Sequence, residues 1–423
     1  MAERLQSETA VPVVTLRSLE GAKNMGSGLE AAFDPETKKV VDRYNSALEK
    51  LGEETAKTSA DVLITVPDRD ASMLQSRMAE DAEVGRPLPS GGLEAQFGEG
   101  LTGGDIWGWA KSVFDHVRED NWHSIVRPPD DKVGAIADKG RVAALADWGT
   151  NLYGAPASAA SIKKAGGYEL LLHLGDIYYS GTKKESKKRF IDAWPTGAGK
   201  VSRALNGNHE MYSGGFAYFD DILPHFSQPS SYFALQNANW LLVGLDTAHT
   251  DNHDIDEQQL AWLKSVMQKK GQRKAILFSH HQPFSRLDKQ GPGLQAALAG
   301  LFQQQAITAW YWGHEHDCII YDRHAQSGML GRCIGNGGIP SPRKSIVRNA
   351  PTERPLDAVA WKRLSQNEDA PACLVLDGEN PLVKGDEKKF GPHGYLTLEF
   401  DGPNLTERIH LPDGTEIFAG PVT

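Results

Sequence analysis

Asp147, Asp176, Tyr179, Asn208, His209, His280, His281, His314 and His316 are the residues of this 423-residue chain whose types and placing could do chemistry. Each stands where, or just after, a short apolar run stops. Residues 141–146 lead into Asp147-Trp148-Gly149, and 170–174 into Gly175-Asp176-Ile177-Tyr178-Tyr179. Residues 201–206 lead to Gly207-Asn208-His209-Glu210, 274–279 to His280-His281, and 306–312 to Gly313-His314-Glu315-His316. The donors are oxygen and nitrogen, without thiolate. Such a set suits zinc, manganese or iron rather than a structural thiolate cage. Its ligands outnumber the needs of one four-coordinate ion. Two ions roughly 3.5–4 Å apart, sharing one carboxylate, would use them all, and Asp176 is the expected bridge. Any one piece is ordinary: Gly-Asp is a common turn, and Asn-His between glycines is turn chemistry. Recurrence at five strand ends in order is what points to metal.

The elements that must position these residues follow from patterning. A short apolar run that turns polar at Gly-Asp reads as a buried strand ending in a carboxylate. In α/β sheets that end holds ligands. Helices are expected at 158–165, 183–194, 216–223, 256–269 and 293–304. The fourth has Asp256 as N-cap and Leu260, Leu263 and Met267 inward. Residues 232–235 and 240–245 read as a hairpin reaching Asp246-Thr247. Strands are expected at 318–323 and 329–334, and closing antiparallel strands at 395–400 and 408–411, with a final pair around Asp413-Gly414. Alternating strands and helices argue for α/β layers. Residues 340–392, with many prolines and charges, read as a long insertion.

Residues 1–134 read as a partly helical extension, a lid, an oligomerisation arm or a packing segment. A helix is expected within 35–56, a strand at 61–65, a Gly/Pro-rich connection at 85–104 and a helix at 105–119. Trp107, Trp109 and Trp122 read as packing anchors.

Hydrophobic content of 40% and charged content of 24% are ordinary for a soluble globular chain. The net charge of -10 argues against nucleic acid as the main partner. Cys318, Cys333 and Cys373 form no Cys-x-x-Cys pair, so buried free thiols in a reducing compartment are expected. No apolar run approaches roughly 18 residues, so no membrane span is expected. The first residues lack a basic stretch followed by an apolar one, which gives a cytoplasmic expectation.

Together the five motifs resemble those of the calcineurin-like metallophosphoesterases, most nearly the purple acid phosphatase branch. The resemblance covers about residues 140–340, and residues 395–423 are similar to the closing strands. Leu245-Asp246-Thr247 and Gln259-Leu260-Ala261-Trp262-Leu263 add to it. It does not cover the first 130 residues, which do not resemble the β-sandwich of plant members. For residues 135–423 it implies an α/β fold of four layers, α-β-β-α, with two facing mixed sheets. It also implies that Asp147, Asp176, Tyr179 and His316 hold one ion, and Asp176, Asn208, His280 and His314 the other. Many members of the wider family carry Asp-x-His in the first motif; here Gly149 stands at the third position. Tyr179 offers a phenolate three residues after Asp176, where the branch places an iron ligand. A hard anionic donor implies Fe(III) paired with divalent Fe, Zn or Mn.

His280 and His281 compete for one ligand position. Strand register favours His280, whereas the family's His-x-Pro spacing, ending at Pro283, favours His281. We expect His280 to bind metal and His281 to face substrate or support the site. His209, beside Asn208, is expected to act as general acid or transition-state stabiliser. The implied activity is hydrolysis of a small-molecule phosphoric ester, mono- or diester, by hydroxide held between two ions. The alternative is a non-catalytic phosphate- or metabolite-binding protein on the same fold. His249, His253, Arg343 and Lys344 are further candidates for touching phosphate, with surface placement as the competing expectation. His173 is expected to be buried in its strand.

Overall fold

A computed structural model describes residues 122–423 apart from Tyr178, 250–253, Lys289 and Gln290, and, before them, residues 43, 46, 47, 50, 67–73, 75 and 76. The chain divides into two units, 1–121 with 212–214, and 122–211 with 215–423. In the first unit, the helical residues Arg43 and Lys50 pair with Asp70 and Asp68. Both lie within the helix expected at 35–56. The strand expected at 61–65, the connection at 85–104 and the helix at 105–119, with Trp107 and Trp109, lie outside the described residues.

The second unit is built on two sheets. In chain order its strands are β1 (Gly134–Ala135), β2 (Lys139–Leu145), β3 (Tyr168–His173), β4 (Gly199–Ala204), β5 (Phe233–Gln236), β6 (Trp240–Gly244), β7 (Lys274–Ser279), β8 (Ala309–Trp312), β9 (Cys318–Tyr321), β10 (Leu330–Ile334), β11 (Thr352–Pro355), β12 (Val359–Leu364), β13 (Cys373–Gly378), β14 (Tyr395–Asp401), β15 (Asn404–His410) and β16 (Glu416–Pro421). One sheet has the order β16-β15-β14-β2-β3-β4, the other β1-β5-β6-β7-β8-β10-β9-β13-β12-β11. Parallel strands form one end of the first sheet, β2-β3-β4, and the middle of the second, β6-β7-β8-β10.

Strand alternation sorts the side chains into layers. Val142, Ala144 and Ala146 pack between the sheets with Leu242, Ile276 and Phe278. Ala143 and Leu145 face the other way, onto Ala155, Ala159 and Ile162 of helix α1 (Gly154–Ala165). A short helix, α2 (Asn208–Tyr212), follows β4. Leu241, Val243, Ala275 and Leu277 face outward onto Leu263, Val266 and Met267 of helix α3 (Glu257–Gln268). The unit is thus a four-layer α-β-β-α sandwich with two mixed sheets, as expected. Asp256 caps α3, its side chain accepting from Gln259 N at 2.8 Å. Such a cap contributes about 1 kcal/mol.

The structure departs from the sequence reading in two places. Residues 340–392 carry β11, β12 and β13, which extend the larger sheet beyond β9. Lys362 and Arg363 break the apolar alternation of β12, which hides it from pattern reading. The charged segment at 183–194 begins as an α-turn, Lys183–Glu185, and continues as a π-helical turn, Ser186–Ile191. Within it, Arg189 O accepts from Trp148 Nε1 at 3.0 Å. This ties the segment to the residue after Asp147. Asp413 and Gly414 lie in the turn between β15 and β16. The three cysteines are free and buried. No described helix is long and apolar enough to cross a membrane.

Candidate metal centre

The loops after β2, β3, β4, β7 and β8 meet at one place. Asp147 N donates to Gly175 O at 3.0 Å, and Gly313 N to His280 O at 3.0 Å. Close approach sets the residue types here. A Cβ at Gly175 (φ 100°) would stand 2.8 Å from His280 Nδ1 and from Gly207 N.

Four atoms face one another on one side. Asn208 Oδ1 lies 3.0 Å from His280 Nε2 and 3.1 Å from His314 Nδ1. His280 Nε2 lies 3.2 Å from His314 Nδ1 and 3.3 Å from Asp176 Oδ2. Ligand atoms about 2.0–2.1 Å from one ion are roughly 2.9 Å apart at a right angle and about 3.4 Å apart at a tetrahedral angle. The observed spacings fall in that interval. His280 Nδ1 lies 2.9 Å from Leu174 O, so Nδ1 carries the hydrogen and donates. In the neutral ring that metal ligation requires, Nε2 then presents a lone pair to acceptor oxygens, an arrangement that a cation reconciles. Burial alone would push the His280 ring down, but Asp176 and Asp147 pull it up to about 9. The carboxylates thus draw positive charge to the point where an ion would sit.

On the other side, Asp147 Oδ2 accepts from His314 N at 2.9 Å. Asp147 Oδ1 is buried without a hydrogen bond and lies 3.4 Å from His316 Nε2. Burial holds Asp147 above the usual carboxylate range. Asp176 falls well below it despite burial, because His280 and His209 lie close. Donor atoms of Asp147, Asp176 and His280 lie within 4.8 Å of one another, as do those of His280, His281 and His314. Tyr179 differs. Its hydroxyl is buried without a hydrogen bond, and its ionisation is raised by burial and by Glu185 and Tyr153, not by the two aspartates.

Four of the expected ligands have left-handed backbones: Asp147 (φ 53°), Asp176 (φ 64°), His314 (φ 69°) and His316 (φ 53°). A non-glycine residue held this way costs of order 1 kcal/mol and persists when its surroundings fix it. Glu210 is one such fixture. Its carboxylate accepts from Asp176 N (2.9 Å), Gly207 N (2.7 Å) and Ile177 N (2.5 Å), joining the loops after β3 and β4. Glu315 is another, anchored by Trp312 Nε1 (2.8 Å) and by Ser285 Oγ.

The remaining candidates separate. His209 donates from Nδ1 to Tyr179 O at 2.6 Å and holds Nε2 3.8 Å from Asp176 Oδ2. His281 is fixed by Thr247, with Nδ1 3.0 Å from Thr247 O, and its ring centroid is 4.7 Å from that of His314. His249 is engaged elsewhere, its Nε2 lying 2.8 Å from His123 O. His253 lies outside the described residues. Arg343 pairs with Asp377 at 2.7 Å, and Lys344 with Asp317, so the structure gives both a bracing contact within the fold. His173 is buried among Phe190, Trp148 and Trp194, as expected, and burial pushes it down to about 3. Trp122 packs at the edge of the outer core beside α1. His393 had no signal in the sequence. It is buried, burial pushes it down to about 4, and His316 is among the groups acting on it.

Residues 140–318, which hold all five motifs, match the family model described as calcineurin-like phosphoesterase. The match takes in less than half of the chain and likens residues 140–318 to that family. Solved structures similar to it include that of PhoD, at 11% identity over 69% of this chain and 70% of that one, with a TM-score of 0.43. Vacuolar protein sorting 29 from Cryptosporidium parvum is similar at 10% identity over 67% and 96% of the two chains, with a TM-score of 0.33. A conserved uncharacterized protein, a predicted phosphoesterase from Streptococcus pneumoniae TIGR4, is similar at 11% identity over 67% and 97%, with a TM-score of 0.29. No curated protein matches the chain. The donor clusters at the strand ends could hold a metal ion.

Proposed function

We propose that the domain is a hydrolase that cleaves small-molecule phosphoric esters with two metal ions. Asp176 carries this reading: its carboxylate belongs to the cluster with Asp147 and His280, and its Oδ2 is 3.3 Å from Nε2 of His280, the residue that this cluster shares with His281 and His314. Asp147, Asp176, Tyr179 and His316 would hold one ion, and Asp176, Asn208, His280 and His314 the other. Bound there, the ions would lower the pKa of a coordinated water and neutralise the phosphoryl oxygens. His209 would pass a proton through Nε2, because Nδ1 is committed to Tyr179 O. His281, with Nδ1 committed to Thr247, would face the phosphoryl group in the same manner. The acidic net charge fits a small-molecule ester better than nucleic acid.

Purified protein is expected to carry two ions per chain by elemental analysis and to hydrolyse members of a broad ester panel. Asn208→Ala should lose the activity and one ion. Two ions with no hydrolysis of any ester would leave the non-catalytic binding protein as the better reading.

We further propose the purple acid phosphatase pairing, Fe(III) with divalent Fe, Zn or Mn, for this centre. It requires the buried Tyr179 hydroxyl to turn toward Asp176. Concentrated protein made with iron available should then show a visible charge-transfer band that Tyr179→Phe removes. Protein without iron under those conditions would rule out the phenolate and leave a zinc or manganese pair.

A further inference from the structure

Two successive residues with left-handed backbones, Gly175 (φ 100°) and Asp176 (φ 64°), bring the Asp176 carboxylate to the centre. Each of their four backbone polar groups has a partner in the fold. Gly175 O accepts from Asp147 N at 3.0 Å, and Asp176 O accepts from Gly149 N at 3.2 Å. Asp176 N donates to Glu210 Oε2 at 2.9 Å. Gly175 N donates to His173 Nδ1 at 3.1 Å. Three of these partners belong to the motif loops after β2 and β4. The fourth is a side chain at the end of β3 that the proposed chemistry does not use.

The His173 ring is wholly buried. It meets Phe190 edge-on, with centroids 5.0 Å apart, and meets Trp148 and Trp194 in the same way at 6.2 and 6.1 Å. A backbone N–H only donates, so Nδ1 accepts, and the hydrogen of the neutral ring sits on Nε2. Nε2 has no hydrogen-bond partner among these aromatic neighbours. A phenyl ring would suit such surroundings better, because it carries no buried polar atom to leave unpaired. It would also lack the acceptor and leave the buried Gly175 N–H bare. The histidine therefore fits the demand of the turn rather than that of the core.

We propose that His173 is a positioning residue for the metal centre: by holding the Gly175 amide, its Nδ1 keeps the turn in the conformation that delivers the Asp176 carboxylate to His280. The proposal rests on the two-metal reading.

The test separates the acceptor from the packing. His173→Phe keeps an aromatic ring and removes the acceptor. His173→Asn keeps an acceptor, since its Oδ1 stands as many bonds from the backbone as Nδ1, but leaves a cavity. Zinc affinity is measured on chelator-stripped protein by competition with a chelator. His173→Phe is expected to lose about tenfold or more. His173→Asn should stay within about threefold of the wild type, despite its cavity. In the zinc-loaded proteins, kcat for an ester that the wild type hydrolyses should fall about tenfold in His173→Phe, with KM within about twofold. Should His173→Phe fail to fold, His173→Leu makes the same comparison. Wild-type zinc affinity in the variant without the acceptor, or an equal loss in His173→Asn, would overturn the positioning role and leave the metal centre standing. Wild-type protein that takes up no zinc or other divalent ion would overturn the two-metal reading itself, and this role with it.

Discussion

Asp176→Asn is expected to lower kcat/KM for any ester the domain hydrolyses by about 10³-fold or more, and to release metal. The backbone gives the substitution its value as a control. Asp176 sits at φ 64°, a conformation asparagine accepts readily. The fold should therefore survive, with Glu210 still accepting from the amide of residue 176. What disappears is the charge and the second carboxylate oxygen. Oδ1 meets His209 N at 3.1 Å and Oδ2 meets His280 Nε2 at 3.3 Å, so a single neutral oxygen cannot serve both directions. Thermal unfolding gives a second readout. Metal binding to the native state raises wild-type stability with ion concentration, and this rise should shrink in the variant. A variant that keeps two ions and the wild-type rate would end the shared-carboxylate reading.

Glu407→Ala is expected to destabilise the domain by about 3–5 kcal/mol. Glu407 on β15 meets Arg332 on β10 across the two sheets, through contacts of 2.9 and 2.7 Å to Oε1 and 3.0 Å to Oε2. Tyr311 on β8 donates to Oε2 at 2.9 Å. Arg332 also donates to Tyr321 O and Gly331 O, each at 2.8 Å. Arg332 and Glu407 are both almost wholly buried. Removing the carboxylate leaves a buried guanidinium without its counter-charge, and that penalty exceeds the net worth of the pair. The paired replacement Arg332→Met with Glu407→Leu should recover most of the loss, since apolar side chains can fill the space without desolvating charge. Denaturant unfolding of the three variants checks both statements. A Glu407→Ala loss below about 1 kcal/mol would mean that water reaches the guanidinium.

The sequence made the strands beneath the centre legible for a simple reason. β2, β3, β7 and β8 are buried on both faces, so they read as unbroken apolar runs, and their polar ends stand out. The half-exposed β12, with Lys362 and Arg363 among its apolar positions, offered no such contrast. Within the site, chain order revealed the candidate ligands but not their supports. The tautomer of His280 is set by Leu174 O, a partner 106 residues away, and no local spacing encodes it. Glu210 was legible only as a neighbour of His209, whereas in the fold it gathers three amides from two loops. His393, in the Gly-Pro-His-Gly segment before β14, shares no spacing with any ligand. Its proximity to the centre comes from Asn336 and Gly154, both distant in sequence.

The left-handed backbones at Asp147, Asp176, His314 and His316 set stability and activity against each other. Folding alone would be served better by glycine at these positions, since glycine has no Cβ to strain there. Aspartate and histidine at these four positions give up that stability and keep the donors in place.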